Sequence, residues 1–264
     1  MKRFAKYRAI LSTQLFNTLA YPGELLWRSL GIVLFMWVFA NLWRATYAAS
    51  NTDQLGGLTI RSMMWYLVVA ETIELSKPRL TRIISDQVKD GSIAYVLNKP
   101  YNFLLYHLAV ALGDSAVRAV LNVLLGGGVV WLMMGPPPGP LGWAMALVGF
   151  LGAWLLQFCI NAMLGLIAFV AEEVAPFEWI YQKMVFVLGG LFIPLDLYPA
   201  WLQGITRSLP FAYMMYEPAR LFVDPSPQRF LHMLAGQAIY LVLLGGLLAF
   251  FYARGVRRLA INGG

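Results

Sequence analysis

The sequence predicts an all-α membrane protein: six transmembrane helices in a single domain covering residues 1–264. Three observations predict it. Hydrophobic residues make up 59% of the chain and charged residues 12%, against about 25% charged in an ordinary soluble domain. Several uncharged stretches approach or exceed the roughly 18 apolar residues that read as a spanning helix, and the alternating ten-residue segments of a transmembrane barrel do not occur. Finally, Lys and Arg gather on one set of connections, as they do when topology places them.

Residues 1–20 begin with Lys2, Arg3, Lys6 and Arg8, and Ile10, Phe16 and Leu19 recur at roughly helical spacing. Ser12, Thr13, Gln14, Asn17 and Thr18 interrupt the apolar run, and no small-residue cleavage pattern follows, which argues against a signal peptide. The reading is an amphipathic helix lying in the cytoplasmic membrane interface. The first span covers about 25–43, with Trp27 and Trp43 as interfacial anchors. A polar loop at 44–61 leads to a short second span, 62–75, that ends in Glu71 and Glu74. The charged stretch SKPRLTRIISDQVKDGSIAYVLNKP fills 76–100. A third span, 103–134, carries Asp114 and Arg118. The GPPPGP run at 135–140 is a firm boundary, because Pro cannot continue a helix.

The fourth span, 141–170, closes on Glu172 and Glu173; the fifth, 177–193, contains Gly189 and Gly190 and stops at Pro194. Pro194, Pro199, Pro210, Pro218, Pro225 and Pro227 then punctuate a stretch too aromatic for an ordinary loop. Its pieces 199–208 and 211–222 are too short to span, which suggests a re-entrant hairpin at 195–225 on the outer side; a lid packed on that surface is the alternative. The sixth span, 231–252, leads into a basic tail. Cys159 lies within an apolar segment and reads as a small core residue. No internal repeat is visible.

Thirteen of the 20 Lys and Arg residues fall at the two ends of the chain, in 76–100 and at Lys183; five fall on the opposite connections. This bias puts both termini in the cytoplasm and requires an even number of spans. It also accounts for the net charge of +7 without nucleic acid.

Catalytic patterns are missing. HExxH, GxSxG, CxxC and the phosphate-binding GxxxxGK[ST] do not occur, and His107 and His232 are far apart, each near a span end, where they read as interfacial polar residues. No metal site is expected. Charges in or near the spans are the next candidates. Glu71 and Glu74 share a helix face, and Asp114 and Arg118, four residues apart, share another. Each set reads either as a polar pathway or a contact with a cytoplasmic partner, or as structure: a helix end at headgroup level, or a pair on one helix face. In 81–100, Ile83, Ile84, Val88, Ile93, Val96 and Leu97 recur among charges before and after a turn at Asp90-Gly91. This pattern fits an amphipathic cytoplasmic helix that offers a docking surface to a soluble protein, or else a solvated interfacial loop.

Two segments carry a family resemblance. DQVKDGSIAYVLNKPYN at 86–102 and GGLFIPLDLYPAWLQGITRSLPFAYMMYEPARL at 189–221 resemble the signatures of the permease subunits of type-2 ABC transporters. Within that class, the short loops and LNKP are similar to bacterial permeases that often work as unlike pairs and are associated with export of cationic compounds such as viologens. The resemblance implies an N-terminal elbow helix near 3–20. It also implies a coupling helix near 81–98 that seats in a separate ATPase, with Arg82, Asp86, Lys89, Asp90, Gly91, Lys99 and Pro100 as coupling residues. Glu71, Glu74, Asp114 and Arg118 are the pathway candidates. Gly189, Gly190, Pro194, Pro199, Pro210 and Phe211 belong to the implied outer gate and hairpin. The implied unit has two ATPases, which hold ATP and Mg2+, and two permeases, identical or related, in the bacterial inner membrane. This chain itself would bind no cofactor and have no ATPase activity.

An ion-coupled secondary transporter is the alternative. It calls for midplane carboxylates and a mirrored pair of broken helices; one broken helix is present and no mirror copy. A membrane-embedded enzyme fits least, for want of a nucleophile or metal constellation.

Overall fold

A computed structural model describes residues 2–171 and 173–262; Glu172 and the side chains of Lys2, Arg3, Arg28, Arg257 and Arg258 lie outside the described residues. Among the described residues the α-helices run α1 (Lys2–Leu19), α2 (Pro22–Ser50), α3 (Ile60–Leu75), α4 (Leu80–Lys89), α5 (Ile93–Leu97), α6 (Phe103–Met134), α7 (Pro140–Leu166), α8 (Ala175–Leu188), α9 (Ala200–Arg207), α10 (Pro210–Met214), α11 (Tyr216–Val223) and α12 (Pro227–Asn262). Among the described residues no strand forms.

Among the described residues four helices are long and apolar enough to cross a membrane: α2, α6, α7 with its short 3-10 extension, and α12. The other two expected spans are shorter. At about 1.5 Å per residue, the 16 residues of α3 reach about 24 Å and the 14 of α8 about 21 Å, below the roughly 30 Å of a hydrocarbon core. The fifth expected span is therefore corrected. The helix stops at Leu188, and residues 189–193 form a turn in which Gly190 takes φ 73°.

Local chemistry sets several boundaries. Asn102 caps α6 by accepting from the Leu105 N–H at 3.0 Å, and Thr59 caps α3 by accepting from the Ser62 N–H at 3.3 Å. The proline turn after α6 is held from α3, where Trp65 Nε1 donates to the Gly135 carbonyl at 3.2 Å and Arg61 Nε to that of Pro136 at 2.8 Å. The first span, α2, corrects the sequence reading. Instead of ending near Trp43 it continues to Ser50 and stops where Asn51 adopts φ 49°, the left-handed cap. Trp43 is not an interfacial anchor but a core residue, 6% exposed.

The core is built around α3, which α2, α6, α7 and α11 enclose. Met63, Met64, Tyr66 and Leu67 are fully buried on it. Without a hydrophobic drive inside lipid, such packing relies on close approach and hydrogen bonds. Gly236 of α12 lies against the ring of Tyr213 with no room for a Cβ. Beside it, Gln237 donates to the carbonyls of Gly149 and Tyr213 at 2.9 and 3.0 Å. Cys159 is buried in a second cluster with Trp154 and Phe158.

The helix ends sort the charges. Leaving aside the side chains outside the described residues, Arg118 within α6, and Lys183, which lies past the middle of α8, one end of the bundle carries Lys6, Arg8, Lys77, Arg79, Arg82, Lys89, Lys99 and Arg254. The other carries Arg44, Arg61, Arg207, Arg220 and Arg229. These are the two groups that the charge count separates, here as opposite faces of one body.

Candidate functional site

At the basic end, α4 lies across the lower half of α7. Its apolar side is buried through Leu80 and Ile84, and Thr81 donates to Asn161 Oδ1 at 3.1 Å. Gly165 makes this approach possible, because a Cβ there would sit 2.9 Å from that of Ile84. The opposite side of α4 faces outward and carries Arg82, Ile83, Asp86 and Lys89. The turn that follows depends on Gly91 at φ 75°. The Ser92 side chain and backbone N–H hydrogen-bond Asp90 and hold its carboxyl below the usual range. Ile93 is buried, Tyr95 is exposed, and Val96 and Leu97 are partly buried, so α5 continues the same two-sided surface.

Two candidate coupling residues pair within the chain. Lys89 Nζ lies 3.2 Å from Glu173 Oε2, and Arg82 Nε lies 3.4 Å from Glu178 Oε2. Glu173 precedes α8 and Glu178 is in its first turn, so α4 is strapped to the start of α8. The Lys89 ammonium, by hydrogen bond and charge, keeps the Glu173 carboxyl below its usual range. The sequence placed Glu173 at a helix end and gave no role to Glu178; pairs 84 and 96 residues apart leave no local signal. Lys99 lies over the Tyr101 ring, and the Pro100 carbonyl accepts from Lys6 Nζ at 2.8 Å. Tyr7 Oη accepts from the Asn102 N–H at 3.0 Å, so α1 is tied to the start of α6. Phe16 and Leu19 of α1 remain exposed.

The intramembrane charges fall into two groups. Arg118 pairs with Asp114 at 2.7 Å and donates to the carbonyls of Leu75 and Lys77 at 2.7 and 2.9 Å. It therefore closes the C-terminal end of α3, the favourable place for a cation. Asp114 and Arg118 thus form an ion pair that fastens α6 to the end of α3. Glu71 and Glu74 are each 5% exposed rather than surface charges at a helix end. Glu74 pairs with Lys77 through one oxygen. Its other oxygen, and the hydroxyl of Tyr181 on α8, are buried without a hydrogen-bond partner. His107 is likewise buried, between Phe103 and Tyr106, and not an interfacial residue.

The opposite end differs in kind. The 211–222 piece is not one helix; it breaks at Met215 into α10 and α11. Pro194 precedes a 3-10 turn, Pro199 caps α9, and Pro210 opens α10. Gly189 caps α8, and the Gly190 carbonyl accepts from Tyr66 Oη at 2.5 Å. Phe211 is buried against Tyr181. At the centre is a residue the sequence reading passed over. Asp196 accepts from Tyr216 Oη at 2.7 Å and pairs with Arg207 at 3.0 Å and Arg220 at 3.3 Å.

No curated protein gives a significant match to the chain. The family model of the ABC-2 family transporter proteins matches residues 33–263, which takes in α3–α12 and most of α2. With four membrane-length helices and both signature segments inside that match, the chain belongs to the ABC-2 transporter family and is a membrane permease of that class.

Proposed function

We propose that the chain is the permease half of an ATP-driven exporter in the bacterial inner membrane, with both termini cytoplasmic. In this reading α3 and α8 complete a count of six spans, α1 is the interfacial elbow, and α9–α11 form a re-entrant hairpin in the outer leaflet. The exposed charged side of α4, with the Asp90-Gly91 turn, is the seat of a separate ATPase. One observation carries this: α4 buries its apolar side on α7 and leaves its charged side and the following turn exposed. Family membership implies the ATPase partner. Two permeases, identical or related, and two ATPases make the working unit. The exposed apolar side of α8, with Trp179, Ile180 and Val187, suits a second permease. ATP and Mg2+ are held by the ATPases; this chain hydrolyses nothing.

Closure of the ATPases would push α4, and the Lys89–Glu173 and Arg82–Glu178 pairs would carry the displacement into α8. The far end of α8 meets the Gly189-Gly190 turn and the hairpin. The buried carboxyls of Glu71 and Glu74, with the unpartnered Tyr181 hydroxyl near Glu74, support a pathway along α3 and a hydrophobic, cationic or lipid-like cargo.

The test is site-directed crosslinking. Asp86→Cys and Asp90→Cys should each crosslink to a nucleotide-binding subunit that co-purifies in mild detergent, and ATP should change the yield. Purified chain alone should show no ATPase activity. If no ATPase co-purifies, or if crosslinks form only within the permease, this assignment of α4 is wrong.

A further inference from the structure

A polar pocket of about 890 Å³ opens at the end opposite α4, among α9, α10, α11 and the first turns of α12. Its volume is that of a ligand site, about 300–1,000 Å³. Glu217 lines it, is 7% exposed, and has one carboxylate oxygen buried with no hydrogen-bond partner. An acceptor left so is costly unless a donor arrives. The Tyr216 ring lies under the Arg207 guanidinium and that of Tyr213 against His232, so these rings hold the basic side chains in place around the pocket.

The other walls are basic. Arg229 and His232 come from the first two turns of α12, the end of a helix where the backbone dipole favours negative charge. Arg207 comes from the end of α9. Arg229 reaches Asp224 only at 3.5 Å, and Arg207 spends one terminal nitrogen on Asp196, so each keeps donors to offer. A lone cation would meet Arg207 and Arg229, and a lone anion would meet Glu217 and Asp224. A ligand with both charges satisfies both walls. His232 also heads an exposed stripe on α12 that continues through Leu231, Ala235, Ile239 and Val242. Because α12 has the length and apolarity of a membrane span, that stripe is a track for an acyl chain.

We propose that this pocket binds the headgroup of a phospholipid bearing a phosphate and a primary ammonium, with the ammonium on Glu217, the phosphate on Arg229, His232 and Arg207, and an acyl chain along α12. The proposal needs α12 to cross the membrane and does not depend on the ATPase.

The test uses delipidated full-length chain in detergent. Binding of short-chain phosphatidylethanolamine, phosphatidylglycerol and phosphatidylcholine, and of free phosphoethanolamine, is read by native mass spectrometry. Phosphatidylethanolamine should bind about tenfold more tightly than phosphatidylglycerol, as one charge-assisted hydrogen bond predicts, and more tightly than phosphatidylcholine, whose ammonium has no N–H. Glu217→Gln should abolish this preference while phosphatidylglycerol still binds, and binds somewhat more tightly because the carboxylate that a lone anion meets is gone; that retained binding also reports that the variant is folded. Arg229→Gln should weaken all three lipids and keep their order. Equal affinities in the native chain, or a preference that survives Glu217→Gln, overturns the proposal. Phosphoethanolamine binding as tightly as the lipid overturns the acyl track and makes the ligand a small soluble zwitterion.

Discussion

The two ends of this permease hold charge in opposite ways. At the basic end, the ion pairs from α4 to the start of α8 are in solvent: the Arg82 side chain is 80% exposed and that of Glu173 is 64%. Exposed pairs contribute about 0–1 kcal/mol and are screened by salt, so a partner can replace them at little cost. At the other end, Asp196 and Arg220 are 15% and 8% exposed, and one carboxylate serves two guanidinium groups and a tyrosine. Losing one member of such a set leaves buried charge uncompensated. One end is made to exchange contacts and the other to keep them.

Substitution at the centre of the kept set strains the contrast most. Asp196→Ala leaves Arg220 with Asp224 alone, 3.4 Å away, and should destabilise the protein by about 3–5 kcal/mol; thermal unfolding in detergent, followed by tryptophan fluorescence, measures it. A loss under about 1 kcal/mol would mean that the hairpin is not anchored by this carboxylate. Tyr66→Phe comes next. It leaves the Gly190 carbonyl without its donor in a buried turn and should cost about 1–3 kcal/mol. The same unfolding assay reads it, and limited proteolysis between α8 and α9 should rise in step.

The exchangeable end should behave otherwise. Arg82→Gln and Lys89→Gln together should cost at most about 1 kcal/mol of stability, yet lower ATP-driven transport in reconstituted vesicles if these pairs carry motion into α8. A double variant that loses stability but keeps full transport would reverse the roles of the two ends. The smallest effect is the pH dependence of the Lys89–Glu173 pair. The Glu173 carboxyl is held below 4.5, its ordinary value. The contribution of the pair is therefore complete above pH 4.5 and fades as the pH falls through the lowered value. The stability difference between the native chain and Lys89→Gln should shrink over that range, and high salt should shrink it at neutral pH as well.

Much of the fold was legible because its signals are local. The third span, 103–134, matches α6 to the residue, since an Asn cap and a Gly-Pro stop lie beside it in sequence. The helix of 80–89 was visible as apolar residues recurring among charges. By contrast, the extension of α2 to Ser50 was missed because Arg44, Thr46 and Ser50 read as polar loop. Ala45, Ala48 and Ala49 are strong helix formers, and Trp43 and Tyr47 bury their rings against the core. The break at Met215 has no Gly or Pro at the break itself to announce it. Of the candidate site, the outward residues of α4 were legible and their partners were not. Asp196 looked like a loop residue, and Glu217 was passed over within a signature segment.

By itself the sequence determined that the chain lies in a membrane, where most helices begin, and which connections gather the basic residues. Composition, caps, prolines and the Lys/Arg distribution all act within a few residues of where they stand. Only the tertiary structure decided what the charges do. It made Arg118 a clasp on the end of α3, gave α4 a strap to α8, put Asp196 at the centre of the hairpin, and left Glu217 facing a pocket without a partner. Each of these depends on groups tens of residues away in sequence, and whether a buried charge is paired or waiting depends on what the fold places beside it.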